Sequence, residues 1–350
     1  MPIRTCISLA CFVACGWASL WVDQAPDYVR PYAIEHYANA QALTIGAQTY
    51  RFPITGAASG NKFSLLTTNA LASGDLGVLP HIHELHHENF FCLKGRFQLW
   101  AHKGNATDAR LLTADRVTRY RMIGVIAPGK FEDLFFFLAT ENVTYASKSP
   151  YSPTVVAEST NTGSSADIIT QLESFDVHAQ LNFTATRDLI NGTSPSSAVW
   201  HDGPNTIPSQ AGSPYFVAAN WGPKFINNDT GSWQIVQPFV TPATGEHNFT
   251  QGTITLSRQD PNISIPTWQL VDHTAVQVLE GSLTVNIGNE SASLISGDVA
   301  FVPGGTPFQY YSMAAFTKFL YVAAGDQGLD QELLATAQAW DFPVFPTYNA

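Results

Sequence analysis

Short apolar runs, in which hydrophobic and polar residues alternate, fill two stretches of the chain, residues 42–137 and 233–324. Glycine, proline, asparagine and aspartate separate these runs, so each run predicts a β-strand that ends at a turn. The predicted strands span residues 48–53, 62–67, 88–93, 96–101 and 122–126 in the first stretch, and 253–256, 275–279, 282–287, 299–302 and 317–322 in the second. Many short strands with regular turns predict an all-β sandwich or barrel.

Helical spacing is found in two places. Ile169, Leu172 and Phe175 recur every three residues and predict a helix over residues 166–181. This helix lies within residues 147–214, a region rich in Ser, Thr, Asn and Pro that we interpret as an interdomain connection packed on the surface. A second helix is predicted over residues 331–340, before an aromatic tail.

The two strand-rich stretches resemble each other. The sequence ARLLTAD at residues 109–115 matches ASLISGD at residues 292–298 in residue type and spacing. Each follows a strand that is opened by a glycine, Gly95 in one half and Gly281 in the other. The simplest explanation is an internal duplication of one β-domain. The predicted divisions are a signal peptide at 1–19, a first domain at 20–146, the connection at 147–214 and a second domain at 215–350.

The N-terminal residues have the pattern of a secretory signal peptide. Arg4 precedes an apolar stretch from Cys6 to Trp17 that is too short to favour a membrane span, and small residues near its end predict cleavage between Gly16 and Leu20. An uncleaved anchor is the alternative. After cleavage the chain would keep one cysteine, Cys92, and no membrane attachment.

Eight N-x-S/T sequons support secretion, since such sites mark glycosylated surface loops in secreted proteins. They begin at Asn105, Asn142, Asn182, Asn191, Asn228, Asn248, Asn262 and Asn289. We therefore expect an extracellular glycoprotein.

Charge limits the class of partner. Charged residues make up 13% of the chain and the formal net charge is −11, with no basic stripe. This balance argues against a nucleic-acid partner, because phosphate contacts require clustered Lys and Arg. A small, neutral or weakly acidic substrate fits better.

A metal site is predicted at His81, His83 and Glu88. His81 and His83 stand two residues apart, so on a strand they face the same side, and Glu88 follows across a turn on the adjoining strand. Two imidazoles and a carboxylate suit copper, iron, manganese, nickel or zinc. His86 and His87 fall in the turn, where an outer-shell or solvated position is the better interpretation.

The spacing H-x-H-x4-E-x6-G from His81 to Gly95 is the complete first motif of the cupin superfamily. The surrounding segments GVLPHIH, ENFFC and FQLW, together with APDYVRPY at 25–32 and GVIAPGKFEDLF at 124–135, resemble the fungal copper quercetin 2,3-dioxygenases. The resemblance covers most of the chain after the signal. It implies two tandem cupin jelly-roll barrels with a few short helices.

The same resemblance implies a function. A flavonol such as quercetin and O2 would be the substrates, copper the cofactor, and a depside and carbon monoxide the products, with Glu88 both ligating the metal and accepting the proton of the 3-hydroxyl. Positions that match the apolar substrate pocket of the family are Tyr50, Thr68, Phe90, Met122 and Phe131, with Leu66 as a further candidate.

The second half lacks this set of ligands. Counting back from Gly281 places Thr267, Gln269 and Thr274 at the positions of His81, His83 and Glu88, and Phe308 at the position of the family's third histidine. We therefore expect a metal-free C-terminal barrel.

The first half departs from the family in its second motif. The distance from Asp298 to Gly325 is 27 residues, whereas that from Asp115 to Gly129 is 14, and no histidine occurs between His102 and His178. The first barrel is therefore expected to be truncated by about two strands. Either the sequence carries a gene-model error such as a mis-spliced intron, which we favour, or the loss is real. The alternatives are then a different metal-dependent cupin oxygenase or isomerase acting on a phenolic substrate, or a catalytically dead cupin. The possibility of a homodimer stays open.

Overall fold

The computed structural model describes residues 19–35, 41–45, 48–71, 80–94, 96–103, 106–113, 119–139, 141–143, 166–182 and 205–346. Strands dominate these residues. Those that precede residue 144 are β1 (Trp21–Val22), β2 (Tyr32–Ile34), β3 (Gln41–Ile45), β4 (Gln48–Ile54), β5 (Ser64–Leu71), β6 (His81–Ile82), β7 (His87–Lys94), β8 (Arg96–Lys103), β9 (Ala106–Thr113), β10 (Arg119–Ala127) and β11 (Glu141–Val143).

The later strands are β12 (His178–Ala179), β13 (Phe225–Asn227), β14 (Gln234–Val240), β15 (Thr250–Ser257), β16 (Thr274–Glu280), β17 (Ser282–Ile287), β18 (Glu290–Ile295), β19 (Val299–Val302), β20 (Phe308–Tyr311), β21 (Phe316–Ala323) and β22 (Gln338–Ala339). The helices among the described residues are α1 (Glu132–Leu138), α2 (Ala166–Glu173) and α3 (Leu329–Leu334). All ten strands predicted from alternation are present, and the all-β, tandem architecture is confirmed.

The two units repeat one topology. In the first, a six-stranded sheet has the order β11-β3-β4-β5-β10-β7, and β8 and β9 form a separate hairpin. In the second, β21 lies between β15 and β16, as β10 lies between β5 and β7, and β17 and β18 form the hairpin. β10 is therefore the counterpart of β21.

This correspondence locates the truncation. In the second unit β19 and β20 lie between the hairpin and β21; β19 pairs with β16 and β20 pairs with β17. In the first unit β10 begins only six residues after the end of β9 at Thr113. Among the described residues, the first unit therefore has no counterpart of β19 or β20, and β7 is an edge strand.

The N-terminal strands of the chain pair with the sheet of the second unit. β2 pairs antiparallel with β19, and β1 pairs with β2, so both strands belong to the sheet of the second unit. Leu20 packs in the core of that unit, and its backbone N–H donates to Glu290 Oε2 at 2.6 Å. Residues 1–18 of the predicted signal peptide lie outside the described residues.

Both predicted helices are placed differently by the structure. α2 ends at Glu173 rather than continuing to residue 181, because Asp176 takes a left-handed backbone conformation (φ 62°) and residues 178–179 form a strand instead. α3 spans Leu329–Leu334 rather than 331–340, since residues 338–339 pair with β13. No helix in the described part of the chain is long and apolar enough to cross a membrane.

Two sheets pack face to face and join the units. Phe63, Ile123 and Val125 of the first unit share one buried cluster with Phe301 and Leu320 of the second. The opposite face of each sheet lines the interior of its own unit. In the first unit, that inward face carries the candidate site.

Candidate metal centre

His81, His83 and Glu88 converge at one end of the first unit. His81 lies on β6, His83 follows β6 directly, and Glu88 is the second residue of β7, which returns antiparallel to β10. One ligand atom from each of the three side chains lies within 4.8 Å of the others. His83 Nε2 is 3.4 Å from Glu88 Oε2, and the rings of His81 and His83 are 4.9 Å apart.

The hydrogen bonds of His83 leave one nitrogen free to bind a metal. Its Nδ1 lies 2.7 Å from the backbone carbonyl oxygen of Asp176; because a carbonyl only accepts, this nitrogen carries the proton. Its Nε2 is buried and has no hydrogen-bond partner among the described residues. Burial lowers the pKa of His83, but Glu88 and Asp176 raise it by more, so that the pKa lies above its ordinary value. A cation next to Nε2 would satisfy both the nitrogen and the Glu88 carboxylate.

Asp176 organises the turn between the candidate ligands. Its carboxylate accepts hydrogen bonds from the backbone N–H groups of Glu84, Leu85 and His86, each at 2.9 Å, and it lies 2.7 Å from His86 Nδ1. Burial alone would raise the pKa of Asp176, but these donors lower it to about 2. Sequence analysis missed Asp176, because it is remote in sequence from the motif and lies within the predicted connection.

Phe131 supports the histidines from the other side. Its ring meets that of His83 edge-on at 5.0 Å and lies 5.1 Å from that of His86. Phe131 precedes α1, which is anchored by the buried carboxylate of Glu132. That carboxylate accepts hydrogen bonds from the backbone N–H of Gly56 at 2.5 Å and from the Ser64 hydroxyl. The segment 124–135, noted for its resemblance, therefore holds one wall of the site.

The six predicted pocket residues lie on or beside the same inward face. Strand register places Tyr50, Thr68 and Met122 in one row and Leu66, Gly124 and Phe90 in the next, while Glu88 pairs with Ile126. All six are buried except Phe90, which is half-buried; they are Tyr50, Leu66, Thr68, Phe90, Met122 and Phe131.

Two polar groups face this interior. Burial and the Glu88 carboxylate both raise the pKa of Tyr50, which keeps the phenol protonated, and its hydroxyl donates to Gln48 Oε1 at 2.7 Å. The Thr68 hydroxyl is buried and has no partner among the described residues. It is therefore available to a polar group of a ligand in the pocket.

The equivalent space of the second unit is filled by aromatic rings. Trp268 stacks on Tyr310, and Phe308 lies against Tyr310 as well. Counting back from Gly281 aligned Thr267 and Gln269 with His81 and His83. Both residues are exposed, and it is Trp268 between them that packs against the core of the second unit. Within the described residues, the His81, His83 and Glu88 group is the one cluster suited to a metal.

The remaining histidines of the turn make outer contacts. His86 is held by Asp176, and His87 Nε2 lies 3.2 Å from Glu246 Oε2 while its ring lies 5.6 Å from that of Phe249. Neither histidine belongs to the cluster of candidate ligands.

Comparison with known proteins gives the family. No protein-family model matches the chain. The quercetin 2,3-dioxygenase of Aspergillus japonicus is 47% identical over 347 residues, covering 94% of this chain and 99% of that protein. The quercetin 2,3-dioxygenase of Bacillus subtilis is 29% identical over 133 residues, covering 35% of this chain and 39% of that protein.

Among solved structures, the formate complex of the Lactobacillus farciminis oxalate decarboxylase aligns with a TM-score of 0.49 and 10% identity, over 83% of this chain and 85% of that one. The Aspergillus alignment spans nearly all of both proteins, and the chain therefore belongs to the quercetin 2,3-dioxygenase family.

Proposed function

We propose that this protein cleaves the heterocyclic ring of flavonols such as quercetin with O2, releasing a depside and carbon monoxide. The observation that carries the proposal is the buried Nε2 of His83, which makes no hydrogen bond among the described residues and lies 3.4 Å from Glu88 Oε2, in a pocket lined by apolar side chains. A buried polar atom without a partner is costly, and a bound metal would remove that cost. Family membership supports the choice of substrate.

The donor set fits a metal. His81, His83 and Glu88 offer two imidazole nitrogens and a carboxylate oxygen, which suit copper, and also iron, manganese, nickel or zinc. We propose copper, as the resemblance implies. When bound, the metal would supply a Lewis acid and a one-electron redox partner for the substrate.

The side chains of the chain itself perform the remaining tasks. Glu88 faces inward and accepts the proton of the flavonol 3-hydroxyl, the step that converts the substrate to its reactive anion. The Thr68 hydroxyl, which has no partner within the part of the chain that the structure describes, orients a polar group of the substrate. The apolar side chains exclude water and hold the flat ring system; they are Leu66, Phe90, Met122 and Phe131.

The test is the decolourisation of quercetin by metal-free protein, with and without one equivalent of Cu²⁺. We expect turnover only with copper, and a loss of about 100-fold or more in kcat for Glu88→Gln. The exposed Glu246→Gln serves as the matched control and is expected to keep the wild-type rate. Equal rates for wild type and Glu88→Gln would contradict the assigned role. If another metal restores more activity than copper does, the choice of copper is wrong.

One observation favours a second candidate, a cupin that binds its ligand without turnover. The first unit lacks counterparts of β19 and β20 among the described residues, and Phe308, at the position of the family's third histidine, begins β20. A protein that binds quercetin or copper but releases no carbon monoxide would support this candidate.

We propose further that the protein is secreted and glycosylated. Five sequon asparagines are exposed, as glycosylation requires: Asn182, Asn228, Asn248, Asn262 and Asn289. Asn105 and Asn191 lie outside the described residues, and the side chain of Asn142, on β11, is not described. Because Leu20 is buried in the second unit, we expect the signal to be cut before Leu20. N-terminal sequencing and glycosidase digestion of the secreted protein test both points.

A further inference from the structure

A short segment of the connection holds the loop that carries the two histidines. We call residues 176–180 the clasp. Its strand β12 pairs antiparallel with β6, opposing His178 to Ile82 and Ala179 to His81. The backbone N–H of Gln180 donates to the carbonyl of Pro80 at 2.7 Å. The clasp therefore contacts the loop on both sides of the first histidine.

Asp176 adds contacts to the second histidine, His83. Its backbone carbonyl accepts from His83 Nδ1, and its carboxylate accepts from three consecutive N–H groups of the turn that leads to Glu88. The Asp176 side chain is 4% exposed, so these bonds are shielded from water. One residue thus fixes both the His83 ring and the course of the chain to the third candidate ligand.

The second unit holds the equivalent loop by other means. There Trp268 exchanges two backbone hydrogen bonds, of 2.8 and 2.9 Å, with Phe308 of β20, and Gly305 N–H donates to the Leu270 carbonyl at 2.7 Å. Ile82, the counterpart of Trp268, pairs instead with His178. In the described part of the first unit, the clasp occupies the pairing position that β20 occupies in the second.

We propose that the clasp, through Asp176, positions the metal ligands in place of counterparts of β19 and β20, which the described part of the first unit does not contain. The proposal rests on the proposed function, since it concerns the same metal. The physical reason is that a neutral histidine can bind a metal through Nε2 when Nδ1 carries the proton. A hydrogen bond from Nδ1–H to a fixed acceptor selects this tautomer and sets the orientation of the ring. Asp176 supplies the acceptor for that proton and anchors the turn, so it is a positioning residue and touches neither substrate nor metal.

Three variants test this. Asp176→Ala removes the anchor of the turn, whereas Asp176→Asn keeps one acceptor oxygen and a residue type that tolerates the left-handed backbone. Glu173→Gln is the matched control, because it neutralises an exposed carboxylate three residues away, at the end of α2. The Cu²⁺ dissociation constant of each metal-free protein is measured by competition with a chelator, together with its electron paramagnetic resonance spectrum. We expect binding weakened by about 10- to 100-fold in Asp176→Ala, less in Asp176→Asn, and not at all in Glu173→Gln.

The control against a purely structural effect is ¹⁵N-histidine NMR of the metal-free proteins. Asp176→Ala keeps the backbone carbonyl that accepts from His83 Nδ1 but loses the carboxylate contacts to the turn that hold this carbonyl in place. We therefore expect a single Nδ1–H tautomer for His83 in the wild type and a mixture in Asp176→Ala. Unchanged affinity, spectrum and tautomer in a folded Asp176→Asn or Asp176→Ala protein would overturn the proposal. If the wild type binds no Cu²⁺, the proposed function fails; the tautomer measurement then still decides whether Asp176 orients His83.

Discussion

At the scale of single residues, the candidate site is built from local and distant contributions. The spacing of His81, His83 and Glu88 was sufficient to predict their convergence, because a two-residue step on a strand and one turn place them together. Asp176 could not be predicted, since its role depends on a left-handed backbone and on a pairing with β6 that no local pattern shows. The three candidate ligands were therefore accessible from sequence, and the residue that orients them was not.

The buried carboxyl of Asp330 gives a prediction about pH. Asp330 is fully buried, accepting from Thr250 Oγ1 at 3.0 Å and from Gln331 Nε2 at 2.7 Å. Burial raises the pKa of Asp330 above its ordinary value of 3.8, and its hydrogen bonds offset this only in part. Because the folded-state pKa exceeds that of the unfolded chain, the group stabilises the fold below about pH 4, and this contribution is lost as pH rises through the folded-state pKa.

Asp330→Asn should therefore gain stability relative to wild type as pH rises. The amide stays neutral and retains an acceptor for Thr250. Urea midpoints measured at pH 4 and pH 7 check this. We expect the urea midpoint of the variant, relative to that of the wild type, to be higher at pH 7 than at pH 4. If the difference between the two midpoints is the same at both pH values, Asp330 is not the titrating group.

At the scale of secondary-structure elements, the alternation of apolar and polar residues located the strands. It did not show that β7 has a neighbouring strand on one side only among the described residues. β7 is half-buried along nearly its whole length, whereas its counterpart β16, covered by β19, is buried from Thr274 to Val278. Helix ends were predicted poorly: the 166–181 pattern extends past Glu173, where tertiary pairing with β6 replaces the helix. A strand can be predicted from its own short apolar run, whereas the end of α2 depends on the pairing of β12 with β6, which is distant in sequence.

Adding counterparts of β19 and β20, which the described residues of the first unit lack, should complete that unit. In this variant residues 114–118 are replaced by a copy of residues 296–313 that carries histidine at the position of Phe308. We expect a higher thermal midpoint, because the edge of β7 becomes paired, and Cu²⁺ affinity at least about 10-fold higher, because a third imidazole joins the site. The same insertion with phenylalanine retained is the control, and it should raise the midpoint alone. Equal affinity in both insertions would show that the missing histidine does not matter to metal binding.

At the scale of the whole molecule, the units depend on each other. Residues 21–34 extend the sheet of the second unit, and the Phe63 and Phe301 side chains share one core. We therefore expect a fragment of residues 205–350 to aggregate, because the edge of β19 and the apolar face of its sheet are uncovered. Linking residues 19–35 to that fragment should increase its soluble fraction, measured by size-exclusion chromatography. If 205–350 alone is a folded monomer, the N-terminal segment is dispensable.

We propose that His81, His83 and Glu88 hold a metal with which this chain opens a flavonol. The carbon monoxide released when copper-loaded protein consumes quercetin under O2 tests this role. We expect about one carbon monoxide per quercetin consumed, and none above background from His83→Ala treated in the same way. Quercetin consumption without carbon monoxide, or equal release by wild type and His83→Ala, would rule out this role.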